Sequence, residues 1–340
     1  MNLQLFLSDR CNMACDYCFL RLNEGPATIL SEAAALGAVR GHLARHPGGG
    51  AQITLLGGEP TLHFPLMTAV ARAARGAKVS AATNGTLLCP EKAAELSALG
   101  VELAVSVDGA AEGHDRHRRL LKGGSSHEEI LKATEGLGRS KLRANMVVGP
   151  DTAGALLRNL EAMRGAGWRR LSFHLDVRAR WDEGALRALS VSLAGVERYL
   201  GSVNRKGDVL ELTNLESSAE IHSGGAHGYD DVVLGADGKY YPCASFLSKR
   251  YGDLGEWVLG DAEKGLDTEK RERIHGKTER EIHAALKGGR HGICPRETYF
   301  LDVLAGRDPA PAVRAFHRAD ILLGEAFLRI AAHAREAVRG

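Results

Sequence analysis

At 340 residues with 44% apolar side chains, the chain is long enough to build one large domain, or a large and a small one, around a full hydrophobic core. Its 44 lysines and arginines against 42 acidic residues exclude the basic excess that non-specific binding to nucleic acid or a membrane surface needs. No apolar run approaches the ~18 residues of a membrane span, and MNLQLFLSDRC has no basic segment ahead of its short apolar stretch, so a cytoplasmic location is expected.

Short β-type runs at 3–7, 52–56, 78–82, 101–107, 143–148 and 170–175 alternate with helical patterns. That rhythm predicts a parallel sheet covered by crossover helices, in six βα units. Ser31 is placed to cap the first helix, Pro90 to open another, and Leu156, Leu160 and Met163 share one helical face. From about residue 201 the pattern becomes irregular. The run DVVLGADGKYYPC then reads as a hairpin with Asp237-Gly238 as its turn, followed by charged helical segments. The last helix repeats apolar residues at Phe316, Leu323, Phe327 and Ile330, a packing stripe. The expected class is α/β, with a βα domain over 1–200 and a smaller α+β extension over 201–340.

Three of the six cysteines, Cys11, Cys15 and Cys18, fall within eight residues, a clustering that points to metal and away from a disulfide framework. A structural zinc site closes with four ligands, whereas a 4Fe-4S cluster held by three thiolates keeps one iron open to bind something else. The alternative is zinc completed by a distant histidine or cysteine. The loop follows the first strand, and short motifs follow the next three: Gly57-Gly58-Glu59-Pro60, Thr83-Asn84-Gly85 and Ser106-Val107-Asp108-Gly109. In a βα barrel these carboxyl ends form one rim, where active sites are built. Glycine pairs admit a ligand close to backbone, Glu59 can accept from an ammonium group, and Ser106 and Asp108 alternate onto one face to meet hydroxyls.

With an aromatic residue, Tyr17, before the third cysteine, this spacing resembles the radical S-adenosylmethionine (radical SAM) superfamily over residues 3–176. The resemblance implies a partial (β/α)6 TIM-like barrel, one 4Fe-4S cluster on Cys11, Cys15 and Cys18, and S-adenosylmethionine at the open iron. It implies that Gly57, Gly58 and Glu59 meet the methionine amino group, Ser106 and Asp108 the ribose and carboxylate region, and Tyr17 and Phe19 the adenine side. Asn84 joins them on the rim. The stretch SVDGAAEGHDRHRRLLKGGSS is similar to the subgroup of anaerobic sulfatase maturases and peptide-modifying enzymes. That likeness places His114, Asp115 and Arg118, with Arg118 on the cofactor carboxylate. YPCASF and residues 251–261 resemble the start of that subgroup's SPASM or twitch extension.

Those extensions continue with closely spaced cysteines, whereas here only Cys243 and Cys294 follow, so no auxiliary cluster is expected. His275, His283 and His291 lie in a charge-rich stretch and read as a solvated face. Cys89 reads as a structural thiol at a helix start. Cys243 is either a remnant or a hydrogen-atom donor to a substrate radical.

The implied chemistry is reductive cleavage of the cofactor followed by hydrogen abstraction from substrate, fed by an external electron donor of flavodoxin or ferredoxin type. A peptide or protein is the expected substrate, and no nucleic acid or membrane partner is expected. The runner-up is a small metabolite such as an amino acid or sugar, because Met1 lies only ten residues before Cys11 and leaves no room for a leader-binding domain. A third reading is a non-catalytic cluster- or zinc-binding protein.

Overall fold

A computed structural model of the chain describes residues 2–18, 20, 26–205, 209–214, 231–248, 254–287 and 295–339. The elements begin β1 (Asn2–Phe6), α1 (Glu32–Ala44), β2 (Gln52–Leu56), α2 (Phe64–Ala73), β3 (Lys78–Thr83), α3 (Pro90–Ala98) and β4 (Val101–Ser106). There follow α4 (Ala111–His117), α5 (Ser126–Ala133), β5 (Arg143–Val148), α6 (Leu156–Gly165), β6 (Arg170–Leu175), α7 (Glu183–Arg205) and β7 (Glu211–Leu212). The remainder is β8 (Val232–Leu234), β9 (Tyr240–Tyr241), β10 (Gly260–Asp261), β11 (Gly265–Leu266), α8 (Thr268–Ala285), α9 (Pro295–Leu304) and α10 (Ala310–Arg339). No helix among the described residues is long and apolar enough to cross a membrane. All six βα strands are present, and the α/β class is as expected. Residue 7 lies past the end of β1, although its N–H still donates to Leu56 O at 2.9 Å.

The chain divides into two compact units. The first comprises Met1–Ser106, His117–Leu137 and Gly228–Lys277. Its strands β1 to β4 run parallel, with Leu5 beside Leu55 and Leu55 beside Ala81. Alternation sets Leu3, Leu5, Ile53, Leu55 and Val79 into the core. Each such side chain contributes about 1.5–3 kcal/mol of burial free energy. The opposite face is polar: Thr54 Oγ1 donates to Asn2 Oδ1 at 3.1 Å and lies 3.2 Å from Ser80 Oγ, while Gln4 Nε2 donates to Asp231 Oδ2 at 2.8 Å. A parallel sheet buried by helices on both faces carries apolar side chains on both. A half-buried polar face is suited to water or a ligand.

Helix starts follow local chemistry. Ser31 Oγ accepts from Ala34 N–H at 3.2 Å to cap α1, Ser125 Oγ accepts from Glu128 N–H at 3.0 Å to cap α5, and Pro90 opens α3. The hairpin β8–β9 is antiparallel and turns through Gly238, whose φ of +76° suits glycine. Tyr241 hydroxyl donates to Asp237 Oδ2 at 2.7 Å across the same turn. Pattern alone did not show that β8 pairs parallel with β1, placing Val232 beside Leu3 and Leu234 beside Leu5.

The second unit comprises Val107–Arg116, Gly138–His227 and Thr278–Gly340. Here β5, β6 and β7 run parallel, and the apolar face of β6 meets α10 through an edge-on contact of Phe173 and Phe327, ring centroids 5.3 Å apart. Phe316, Leu323, Phe327 and Ile330 are all buried, so the stripe packs as expected. The other face carries Asn145 and Ser172, which hydrogen-bond to each other.

His42 on α1 is fully buried in the first unit. Burial, with His46 and Arg45 adding, holds its imidazole down from 6.5 to about 4. A folded value below the unfolded one means that the stability is complete above pH 6.5 and is lost as pH falls towards 4. The loss amounts to about 3 kcal/mol. Denaturation midpoints across that range are expected to fall more steeply for the native chain than for His42→Leu.

Candidate active site

The cysteine loop follows β1 and is held by backbone from two sides. Gly58 N–H donates to Ser8 O and Glu59 N–H to Arg10 O, both at 2.8 Å. On the other side residues 117–121 form a strap. Ala14 N–H donates to Arg119 O at 2.7 Å, Asp16 N–H to His117 O at 3.1 Å, and Leu121 N–H to Asn12 O at 3.1 Å. Gly58 is required by this closeness, since a Cβ there would stand 2.1 Å from Arg10 O. Gly58→Ala is therefore expected to destabilise by about 3 kcal/mol and to lower the iron retained after reconstitution. Gly48→Ala, with nothing within 4 Å, is the silent control for both the denaturation midpoint and the iron assay.

Cys11, Cys15 and Cys18 are all half-buried on this loop. Burial pushes the Cys11 thiol up to about 12; the Met13 N–H on its sulfur pulls back, and Glu59, Cys15 and Cys18 push further. Both other thiols thus act electrostatically on Cys11; three thiols are the donor set a soft metal centre needs, and binding there would release protons. Among the described residues no three His, Cys, Asp or Glu side chains stand in the arrangement that holds a metal ion. The fit to a cluster therefore rests on donor chemistry and on the fixed loop backbone.

Glu59 is 1% exposed and joins the ends of β2 and β3. Its Oε1 accepts from Thr61 N–H at 3.0 Å, Thr61 hydroxyl at 2.5 Å and Thr83 hydroxyl at 2.7 Å; Oε2 accepts from Asn84 N–H at 2.6 Å. Burial raises the carboxyl pKa, and these donors pull it back. Much of its acceptor capacity serves the rim itself, a commitment not visible in the motif.

Asn84 reaches the cysteine loop directly. Its Nδ2 donates to Asn12 Oδ1 at 2.7 Å and lies 3.8 Å from Cys11 Sγ, while its Oδ1 accepts from Thr86 N–H at 3.0 Å. Asn12 Nδ2 donates to Thr86 Oγ1 at 2.8 Å, closing the set. Neither Asn12 nor Thr86 was singled out in the sequence. The available signal was the run of side-chain amides and hydroxyls beside Cys11 and Asn84.

The structure brings Tyr17 and Arg118 together, the guanidinium 5.2 Å from the ring centroid, and Arg118 is 7% exposed. Ser106 ends β4, half-buried. Asp108 lies in the second unit, where its Oδ1 accepts from Val147 N–H at 2.9 Å and its own N–H donates to His114 Nδ1 at 3.1 Å. That bond makes Nδ1 of His114 the acceptor nitrogen. Cys243 follows β9, half-buried, its thiol 3.6 Å from Ser245 Oγ. Cys89 is at the start of α3 as expected, though half-buried. On α8, His283 is exposed and His275 half-buried. Phe19, His291 and Cys294 lie outside the described residues.

A loop of three cysteines after the first strand, strapped beside a glycine pair and a buried glutamate, has a counterpart in known proteins. Residues 5–158 match the family model of the radical SAM superfamily. These residues form a radical SAM domain. The family implies a 4Fe-4S cluster and S-adenosylmethionine. The chain is 30% identical over 225 residues to a GTP 3',8-cyclase of Synechococcus sp. (strain WH7803), covering 62% of this chain and 57% of that protein. It is 28% identical over 285 residues to a serine-type anaerobic sulfatase-maturating enzyme of Klebsiella aerogenes, covering 74% and 69%. It thus spans 57% and 43% of the length of two of the curated cyclases that it matches. Among solved structures, native anSMEcpe with bound AdoMet has the same fold, with a TM-score of 0.75 at 18% identity over 99% of each chain.

Proposed function

We propose that the chain is a radical SAM enzyme that modifies a peptide or protein, with one cluster on Cys11, Cys15 and Cys18. The observation that carries the substrate class is the likeness of fold, TM-score 0.73 over 99% of each chain, to native anSMEcpe with bound AdoMet and Cp18Cys peptide. Held by Cys11, Cys15 and Cys18, the cluster with the cofactor at its open iron would supply one-electron reductive cleavage and hydrogen-atom abstraction chemistry.

The chain's own residues orient and tune. Asn84 Nδ2, beside Cys11 sulfur, is a hydrogen-bond donor of the kind that raises a cluster's reduction potential. Arg118, held on Tyr17, offers a planar donor fork to a carboxylate. Gly57 and Gly58 bring the backbone of the second strand's loop against the cysteine loop, and Glu59 fixes Asn84 against both. Ser106 and Asp108 serve as hydroxyl-reading groups for the ribose, Tyr17 and Phe19 as the adenine side. Cys243 is the candidate hydrogen-atom donor of the hairpin.

The second reading, a small-molecule substrate, is favoured by the GTP 3',8-cyclases, which reach 34% identity over 155 residues. Reconstituted, dithionite-reduced protein is expected to form 5'-deoxyadenosine and to modify a peptide encoded beside its gene, with GTP unchanged. Conversion of GTP in the same assay selects the second reading. No cofactor cleavage with any substrate removes both.

A further inference from the structure

Cys15 and Cys18 stand at the two ends of one tight turn. Cys18 N–H donates to Cys15 O at 3.1 Å, which makes Asp16 and Tyr17 the two central residues. How firmly these two are held therefore decides how freely the two thiols can move. Both are held by the strap.

Asp16 is gripped twice by His117. Its N–H donates to His117 O at 3.1 Å, and its carboxylate accepts from His117 Nδ1, which lies 3.1 and 3.0 Å from the two oxygens. A carboxylate donates nothing, so Nδ1 carries the proton. The His117 side chain is 17% exposed, the more sheltered partner of the two. Arg119 reaches the same carboxylate at 3.6 Å, but its side chain is 62% exposed, and a pair of that kind contributes little. Tyr17 is gripped next. The His117 ring lies 6.0 Å from it between centroids, and the Arg118 guanidinium 5.2 Å from its centroid. Two successive strap residues thus fix two successive turn residues. In sequence His117 falls between the residues that the motif singles out, Asp115 and Arg118, and carries no mark of its own.

We infer that His117 is a positioning residue for the metal centre: by clasping Asp16 it limits the freedom of Cys15 and Cys18 before metal arrives, and by packing on Tyr17 it keeps that ring in place. The inference rests on the radical SAM reading of the cysteine loop. A loose turn gives up its conformational freedom when metal binds, whereas a turn held in advance has already given it up. The Nδ1 bond carries the effect, and the ring contact adds to it.

The test is the rate at which a ferrous chelator strips iron from the anaerobically reconstituted chain, with circular dichroism as the control for the fold. His117→Ala is expected to lose iron roughly tenfold faster than the native chain. His117→Asn keeps a donor for Asp16 and is expected to restore most of the native rate. His117→Phe keeps a ring beside Tyr17 without the donor and is expected to stay close to the alanine variant. Asp16→Ala should match His117→Ala, and the double variant should be no faster than either, because one bond is lost in all three. A native rate in His117→Ala overturns the inference. So does restoration by phenylalanine and not by asparagine, or a double variant in which the two effects multiply. Zinc in place of iron in the native loop removes the radical reading but not the clasp, since the same variants then speed the loss of zinc to a chelator. A native loop that takes up neither metal overturns both.

Discussion

Replacing Cys11, Cys15 and Cys18 together by alanine takes the anaerobically reconstituted protein from about four irons per chain to none. The effect is expected to be complete because the remaining cysteines cannot replace the lost ligands. Cys89 sits at the start of α3, where its thiol hydrogen-bonds Glu91, and Cys243 lies beside Ser245. Cys294 follows Cys243 by about fifty residues with no close cysteine pair to nucleate a site. The variant should still fold, since β1 to β4 are held by Leu3, Leu5, Ile53 and Val79 and not by the loop. Iron and sulfide counts with a circular-dichroism control check both halves. Iron surviving in the triple variant would show a second cluster held by Cys243 or Cys294. Stoichiometric zinc without iron in the native protein would end the radical reading.

Glu59→Ala is expected to cost about 3 kcal/mol of stability as well as cofactor binding. The buried carboxylate satisfies the Thr61 and Asn84 N–H groups and two threonine hydroxyls. Truncation strands the two N–H groups away from water, whereas the hydroxyls can rotate to other acceptors. Asn84 also loses its anchor, and with it the amide beside Cys11 sulfur is displaced. Glu59→Gln separates the effects. Its amide oxygen can keep the Thr61 and Thr83 donors, but its NH2 then faces Asn84 N–H, donor against donor, across the 2.6 Å now bridged by Oε2. Roughly half of the stability should return, with cofactor affinity still low. Denaturation midpoints and equilibrium binding of S-adenosylmethionine to the reconstituted variants measure the two separately. Asp108→Ala, which loses its bond to Val147 N–H, is expected to weaken cofactor binding with iron content unchanged. Native affinity in both alanine variants would remove these residues from the cofactor site.

Periodicity is local, and so the six strands, the Ser31 cap, the Pro90 helix start, the hairpin at Asp237-Gly238 and the stripe from Phe316 to Ile330 are legible in the residues alone. Each depends on residues a few positions apart, whose preferences act wherever the chain goes. The cysteine spacing was legible for the same reason, because one short loop carries all three thiols. Partners across long separations are set by the fold. It paired β8 with β1, laid residues 117–121 along the cysteine loop, joined Asn12 to Thr86 and Asn84, and filled the lone pairs of Glu59 from within the rim. A hydrogen-bond donor carries no mark of its acceptor in sequence. The choice is made by the parallel register, which sets the ends of β2 and β3 side by side and leaves their buried polar groups to satisfy one another.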